Sequence, residues 1–174
     1  MSLKKSLVSA GEGLLNQALG VSVLKVKEGQ KAPAFKLKNQ DGEAVSLKDY
    51  SGKKVVLFFY PKDMTPGCTI EACDFNENLS RIKRKKAVVL GVSFDDETRH
   101  QKFIDKHGLK YDLLVDDAKK IADKYGVYQK KKFMGKEFMG IVRSTFVIDE
   151  DGKIKKIFSP VKVKGHVDAV MAEL

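Results

Sequence analysis

The sequence has few of the residues that would mark a membrane, disulfide-rich or zinc protein. It contains two cysteines, three histidines and no tryptophan, and no apolar run approaches the ~20 residues of a membrane span. Two cysteines cannot form a disulfide framework, and their C-x4-C spacing differs from the C-x-x-C of dithiol reductases. Because the histidines have no paired spacing, we expect no metal site.

The composition is that of an ordinary globular chain with an excess of basic residues. Apolar residues make up 43% and charged residues 32% of the 174 positions, without repeats or low-complexity tracts, so we expect one domain over residues 24–174. The net charge of +10 could attract nucleic acid or anionic membranes. No nucleic-acid-binding motif accompanies the lysines, so we expect no specific nucleic acid partner and no membrane partner.

Residues 1–23 are expected to be an N-terminal extension. Their apolar stretch at residues 7–10 is interrupted by Gly11-Glu12-Gly13, whereas a secretory signal needs a longer apolar region. Residues 14–19 could instead form a short amphipathic helix that docks on the body or on a partner. We therefore expect a cytoplasmic protein.

One stretch combines a buried strand, a loop and the start of a helix. Residues 55–60 are an unbroken run of β-branched and aromatic residues ended by Pro61, which predicts a strand buried on both faces. Thr65 suits the N-cap of a following helix, and Pro66 suits its first position. Four apolar residues then recur at helical spacing, namely Ala72, Phe75, Leu79 and Ile82.

Cys68 falls at the third position of this predicted helix. Its sulfur would lie near unpaired backbone N–H groups and the positive end of the helix dipole, which favour a thiolate. A sheltered thiolate at such a turn is a nucleophile, although free cysteines are also often plain core residues. Glu71 lies one turn later and would oppose ionisation of the thiol, so we expect it to point away.

The remaining patterns predict an α/β fold. An Asp-Gly turn between residues 34–37 and 43–47 predicts an N-terminal hairpin. Strands are predicted over residues 87–92, 111–115, 141–148 and 153–158, helices over residues 96–107, 118–125 and 167–174, and an exposed lysine-rich excursion over residues 129–140. This order predicts a mixed sheet with helices on both faces.

An ordered set of short motifs resembles the peroxiredoxins. Pro61-x-x-x-Thr65-x-x-Cys68 matches the active-site signature of that family, and Cys73 is placed as in the Q-type, or bacterioferritin-comigratory, subgroup. The other matching motifs are Gly29-x-x-Ala32-Pro33-x-Phe35, Gly91-Val92-Ser93, Arg143-Ser144-Thr145-Phe146-Val147-Ile148-Asp149 and Gly165-His166-Val167. The resemblance covers residues 24–174 and implies a thioredoxin-like fold with a central mixed β-sheet flanked by helices.

This resemblance implies a thiol-dependent peroxidase that reduces hydrogen peroxide and organic hydroperoxides without flavin, haem, metal or other cofactor. Cys68 would be the peroxidatic cysteine and would be oxidised to a sulfenic acid. Cys73 would resolve it to a disulfide, which thioredoxin or a similar dithiol would reduce. We expect a monomer, with a weak dimer as the alternative.

The resemblance also assigns roles around the thiol. Arg143 would hold the thiolate ionised, Thr65 would hydrogen-bond the peroxide, and Pro61 would shield the sulfur from water. The backbone N–H groups of Gly67 and Cys68 would bind the peroxide oxygens. Each residue type also has a plain structural use: a surface ion pair for the arginine, an N-cap for the threonine and strand termination for the proline.

Helix geometry adds a prediction about the two cysteines. Five residues on an intact helix separate Cα atoms by ~7.5 Å along the axis and by ~140° around it, whereas a disulfide needs Cα atoms within about 6.8 Å. We therefore predict that residues 66–76 rearrange on oxidation. If Cys73 were unreactive, an external thiol would resolve Cys68.

The sequence is also compatible with two other functional classes. A redox-sensing or interaction protein could use the same Cys68–Cys73 switch without continuous turnover. A basic nucleic-acid-binding module would bind DNA with a steep salt dependence that is independent of Cys68.

Overall fold

Seven strands form one mixed sheet in the structure, a computed structural model that describes residues 24–174. The strands of the described part are β1 (Lys36–Lys38), β2 (Ala44–Ser46), β3 (Lys54–Phe59), β4 (Ala87–Ser93), β5 (Asp112–Val115), β6 (Tyr128–Phe133), β7 (Lys136–Ile141), β8 (Ser144–Ile148) and β9 (Ile154–Phe158). Their order in the sheet is β2-β1-β5-β4-β3-β8-β9, and β6 pairs with β7 separately. Strand β4 runs parallel to β3 and β5, and the other neighbours are antiparallel.

Five α-helices occur within residues 24–174. They are α1 (Pro66–Glu77), α2 (Leu79–Arg84), α3 (Glu97–His107), α4 (Lys120–Tyr125) and α5 (His166–Met171), and Leu47–Tyr50 forms a 3-10 helix. Helix α3 begins as predicted: Asp96 Oδ1 accepts a hydrogen bond of 2.9 Å from the backbone N–H of Arg99. None of the helices in this described part has the length and apolar character needed to cross a membrane.

Residues 55–60 alternate between the two faces of the sheet, as the pleat of a strand requires. The odd-numbered residues pack with α4, where the rings of Phe59 and Tyr125 lie 5.3 Å apart. The even-numbered residues pack with the other four helices, where the ring of Phe58 stacks 4.8 Å from that of Phe75. The mixed sheet with helices on both faces is thereby confirmed, with its N-terminal hairpin β1–β2.

The prediction of one strand over residues 141–148 is wrong. Strand β7 ends at Ile141 and β8 begins at Ser144. Between them, the Val142 N–H donates to the Val127 carbonyl at 2.8 Å, and the Arg143 carbonyl accepts from the Val161 N–H at 2.9 Å. Residues 142 and 143 therefore belong to neither strand, because their backbone hydrogen bonds go to other segments.

The predicted excursion over residues 129–140 is exposed, but it is a regular hairpin. Strands β6 and β7 pair antiparallel from Tyr128↔Ile141 to Phe133↔Lys136. Most of its side chains are exposed on both faces, so the sequence has no alternation of apolar and polar residues from which strands could be predicted.

The helix predicted to carry both cysteines is interrupted once. Helix α1 ends at Glu77 and α2 begins at Leu79, with Asn78 between them at φ −97° and ψ 4°. The four residues of the predicted apolar stripe are all buried despite this break. The helix predicted for residues 14–19 lies outside the described residues.

Candidate active site

Cys68 lies where β3 ends and α1 begins. The loop of residues 60–65 ends at Thr65, which occupies the N-cap with an extended backbone, and Pro66 is the first helical residue. Cys68 is therefore the third residue of α1, as predicted, and is 1% exposed. It belongs to the same hydrophobic cluster as Ala72 and Phe75, so the thiol is sheltered on the buried side of the helix.

The first turn of α1 supplies backbone donors beside Cys68. The first helical hydrogen bond runs from the Thr69 N–H to the Thr65 carbonyl at 2.9 Å. The N–H groups of Gly67 and Cys68 precede it and have no carbonyl partner within the helix. Together with the positive end of the helix dipole, they favour an anion at this turn.

Arg143 contacts Cys68 from the segment between β7 and β8. The antiparallel pairing of Phe59 with Ser144 places the start of β8 beside the end of β3. From there, Arg143 Nη2 donates to Cys68 Sγ at 3.2 Å. Gly67 permits this approach, because a Cβ at that position would lie 3.2 Å from Nη2. A permanently charged guanidinium at this distance stabilises a thiolate.

Glu71 also faces this site, so the prediction that it points away from Cys68 is wrong. The residue is 1% exposed, and its Oε1 accepts from Arg143 Nη1 at 2.8 Å. The planar guanidinium donates one N–H to the sulfur and another to the carboxylate. The ion pair with Arg143 compensates the charge of the buried carboxylate, so Glu71 can face the site.

The charge of Glu71 is sensitive to pH near neutrality. Burial raises the pKa of Glu71 to about 7, although the ion pair with Arg143 acts in the opposite direction. Its Oε2 has no hydrogen-bond partner among the described residues, and His166 Nε2 lies 4.0 Å away. Burial and the charge of Arg143 lower the pKa of His166 to about 4, so this ring is neutral when Glu71 titrates.

Thr65 and Pro61 lie in the loop before α1. The Thr65 hydroxyl donates to the Lys62 carbonyl at 2.9 Å and makes no capping bond to the helix. Its oxygen therefore keeps lone pairs that can accept a further hydrogen bond. Pro61 is half-buried directly after Tyr60, at the exit of the central strand.

Cys73 lies on α1 itself, five residues after Cys68, and is half-buried. Burial raises the pKa of the Cys73 thiol, and the nearby carboxylates of Glu77 and Asp74 act in the same direction. Both cysteines are free thiols on an intact helix. Helical geometry keeps their Cα atoms at least ~7.5 Å apart, so this conformation does not permit a disulfide.

Three further residues near the site were not among the site residues predicted from the sequence. Thr145 Oγ1 and His166 Nε2 share a hydrogen bond of 2.7 Å, and the same His166 nitrogen lies 4.0 Å from Glu71 Oε2. Lys131 Nζ donates to the Ile141 carbonyl at 2.9 Å and interacts electrostatically with Arg143 and Cys68. Thr145 and His166 belong to motifs that the sequence does contain, but their partners lie far away along the chain.

Comparison with known proteins identifies the family. Residues 28–157 match the model of the AhpC/TSA family. The chain belongs to this family of peroxiredoxins. It is 51% identical over 149 residues to Peroxiredoxin Bcp of Bacillus subtilis (strain 168), and the aligned region covers 86% of this chain and 95% of that protein. Peroxiredoxin Bcp of Escherichia coli (strain K12) is 42% identical over 146 residues, covering 84% of this chain and 94% of that protein.

Solved structures show the same relationship. The bacterioferritin comigratory protein of Xanthomonas campestris superposes with a TM-score of 0.78 at 35% identity, over 84% of this chain and 96% of that one. Peroxidoxin BcpB of Mycobacterium tuberculosis superposes with a TM-score of 0.76 at 35% identity, over 85% of this chain and 96% of that one. The predicted Q-type peroxiredoxin with a thioredoxin-like fold is confirmed, and this peroxiredoxin is a thiol peroxidase.

Proposed function

We propose that Cys68 is the peroxidatic cysteine and that its substrates are hydrogen peroxide and organic hydroperoxides. The main support is the 3.2 Å contact of Arg143 Nη2 with Cys68 Sγ at the N-terminus of α1. The solved relative from Xanthomonas campestris is described as having alkyl peroxide reduction activity. This similarity supports organic hydroperoxides as substrates of the present protein.

The proposed first step is attack of the Cys68 thiolate on one peroxide oxygen. A sulfur–oxygen bond forms while the oxygen–oxygen bond breaks, which leaves a sulfenic acid on Cys68. The departing hydroxide or alkoxide takes a proton and leaves as water or alcohol. Arg143 and the N–H groups of Gly67 and Cys68 stabilise the negative charge that develops on the oxygens.

The loop before α1 shapes the peroxide site in this proposal. Thr65 already donates its hydroxyl hydrogen to Lys62, so its oxygen accepts a hydrogen bond from the peroxide. Pro61, which has no N–H, shields the thiolate from water.

In the second step, the Cys73 thiol condenses with the sulfenic acid, water leaves and a disulfide forms. Thioredoxin or a similar dithiol then reduces the disulfide and restores both thiols. The disulfide requires α1 to open, because the folded helix holds the two residues apart. Opening breaks the 2.7 Å hydrogen bond from the Tyr111 hydroxyl to the Ala72 carbonyl.

Stopped-flow peroxide consumption with thioredoxin tests the assignment. Wild type is expected to turn over, Cys68→Ser to consume no peroxide, and Cys73→Ser to react rapidly with one equivalent and recycle poorly unless a small thiol is supplied. Turnover by Cys68→Ser would refute the assignment. A wild-type protein that is oxidised once and is not recycled would instead be a redox sensor.

Amide hydrogen exchange tests the opening of α1. Oxidised protein is expected to lose protection over residues 66–76, whereas β4 at the centre of the sheet serves as the internal control and keeps its protection. Equal protection of residues 66–76 in the reduced and oxidised proteins would contradict the opening.

A further inference from the structure

A second group of buried ionisable residues lies behind the loop of residues 60–65, and the proposed chemistry does not use it. Its members are Asp63, Asp95 and His100, which are 1%, 9% and 0% exposed. Asp63 belongs to the loop itself, Asp95 follows β4, and His100 lies in α3. Three separate segments of the fold therefore meet at this loop.

Asp63 uses its side chain and its backbone to bind these segments. Its Oδ1 accepts from the Tyr60 hydroxyl at 2.5 Å, and its Oδ2 lies 2.6 Å from His100 Nδ1. Its backbone N–H donates to Asp95 Oδ2 at 2.8 Å. Asp95 is fixed in turn by the Ser93 hydroxyl at 2.7 Å. The loop is thus tied to the end of β3, to the segment after β4 and to α3.

His100 extends this link to strand β5. Its Nε2 lies 2.8 Å from the Leu114 carbonyl, which can only accept, so Nε2 carries a hydrogen. One further proton lies between His100 Nδ1 and Asp63 Oδ2, and the pair is neutral overall whichever atom holds it. The 2.6 Å separation of these two atoms is that of a hydrogen bond, whereas two ligands of a tetrahedral zinc, at about 2.0–2.2 Å each, would lie about 3.4 Å apart.

The loop held by Asp63 has a strained backbone. Met64, the next residue, has a φ of 65°, a left-handed conformation that costs a non-glycine residue about 1–2 kcal/mol. Its side chain is 40% exposed, so core packing does not stabilise that conformation. Asp63, with its buried hydrogen bonds, directly precedes this strained residue, and Thr65, the N-cap of α1, directly follows it.

We propose that Asp63 and His100 are positioning residues of the peroxidase reaction. They hold the loop of residues 60–65 so that α1 begins at Pro66 and Cys68 Sγ stays within hydrogen-bond distance of Arg143. They act through the backbone of the loop, not through contact with the peroxide. This inference rests on the proposed role of Cys68.

Variants of His100 test the proposal through the rate at which hydrogen peroxide oxidises Cys68 in a single turnover. His100→Phe removes the hydrogen bonds of the ring to Asp63 and Leu114. It is expected to lower the second-order rate constant about 30- to 100-fold, because small displacements of reacting groups have effects of this size. His100→Asn retains an N–H donor near Asp63 and is expected to recover part of the rate, to within about tenfold of wild type.

Phe103→Leu is the matched control, since Phe103 is a fully buried residue of the same helix. It alters core packing, including a ring contact with Tyr60 at 6.3 Å, but removes no hydrogen bond of Asp63 or His100. It is expected to keep the oxidation rate within about threefold of wild type. Hydrogen exchange adds a second measurement. His100→Phe is expected to lose protection over residues 61–68 and to keep it in β4.

A folded His100→Phe variant that reacts within threefold of wild type would overturn the proposal, as would an equal loss of rate in Phe103→Leu. If His100→Phe does not fold, Asp63→Ala is tested in its place, and the same loss in the rate of Cys68 oxidation is expected. Failure of the proposed function is distinguishable, because wild type itself would then show no oxidation of Cys68 by peroxide.

Discussion

Replacing Glu71 with glutamine is expected to change how the stability of the folded protein depends on pH. Burial raises the pKa of Glu71 from 4.5 to about 7, against the opposing influence of Arg143. Between these two values the unfolded chain releases the carboxyl proton while the folded protein keeps it. This contribution to stability is therefore present at low pH and is lost as the pH rises through about 7.

The size of the effect follows from the two pKa values. At about 1.4 kcal/mol for each pKa unit, the complete change in the free energy of unfolding is about 3 kcal/mol. About 2.5 kcal/mol of it falls between about pH 5 and about pH 8. A glutamine side chain does not titrate and keeps an oxygen for Arg143 Nη1. As the pH rises from about 5 to about 8, the free energy of unfolding of Glu71→Gln is therefore expected to increase by about 2.5 kcal/mol relative to that of wild type.

Urea unfolding of the reduced proteins, followed by far-ultraviolet circular dichroism at both pH values, measures this difference. Groups shared by wild type and variant, such as His166, largely cancel. Glu77→Gln is the control, because Glu77 is an exposed residue of the same helix, and its relative stability should change by less than about 0.5 kcal/mol. A change that small for Glu71→Gln, or one of opposite sign, would refute the reasoning.

Three further substitutions have defined expectations. Arg143→Lys keeps a charge but loses the planar fork, so the rate of thiol oxidation in stopped flow should fall at least about 100-fold. Gly67→Ala places a Cβ 3.2 Å from Arg143 Nη2, so the same assay should show a smaller loss, about tenfold, with an unchanged or higher melting temperature. Gly91→Ala places a Cβ 2.7 Å from Leu113 Cδ2 and 2.9 Å from Phe58 Cζ, so urea unfolding should show a destabilisation of about 1–3 kcal/mol.

The strand–loop–helix unit could be predicted from the sequence because its determinants are local. A run of β-branched and aromatic residues specifies the strand at residues 55–60, and Thr65 and Pro66 specify the helix start. The position of Cys68 follows from that start alone. Local patterns of this kind need no knowledge of distant partners.

The orientation of Glu71 could not be predicted in the same way. Its burial depends on Arg143, which lies 72 positions later in the chain, and nothing near Glu71 indicates that a guanidinium will reach it. The break before β8 has a similar origin. The Val142 N–H donates to the Val127 carbonyl and not to the seven-stranded sheet, so contacts with a distant segment divide a stretch that the sequence predicts as one strand.

The pairing of Phe59 with Ser144 has a consequence for how activity arises during folding. Helices such as α1 form from local contacts, whereas this ladder closes a long loop and forms slowly. A slip by one residue would turn the side chains of β8 to the opposite face and displace Arg143 from the sulfur. During refolding, peroxide reduction should therefore return after the helical circular dichroism signal has recovered. The recovery of enzyme activity would then report when the pairing of β3 with β8 is complete.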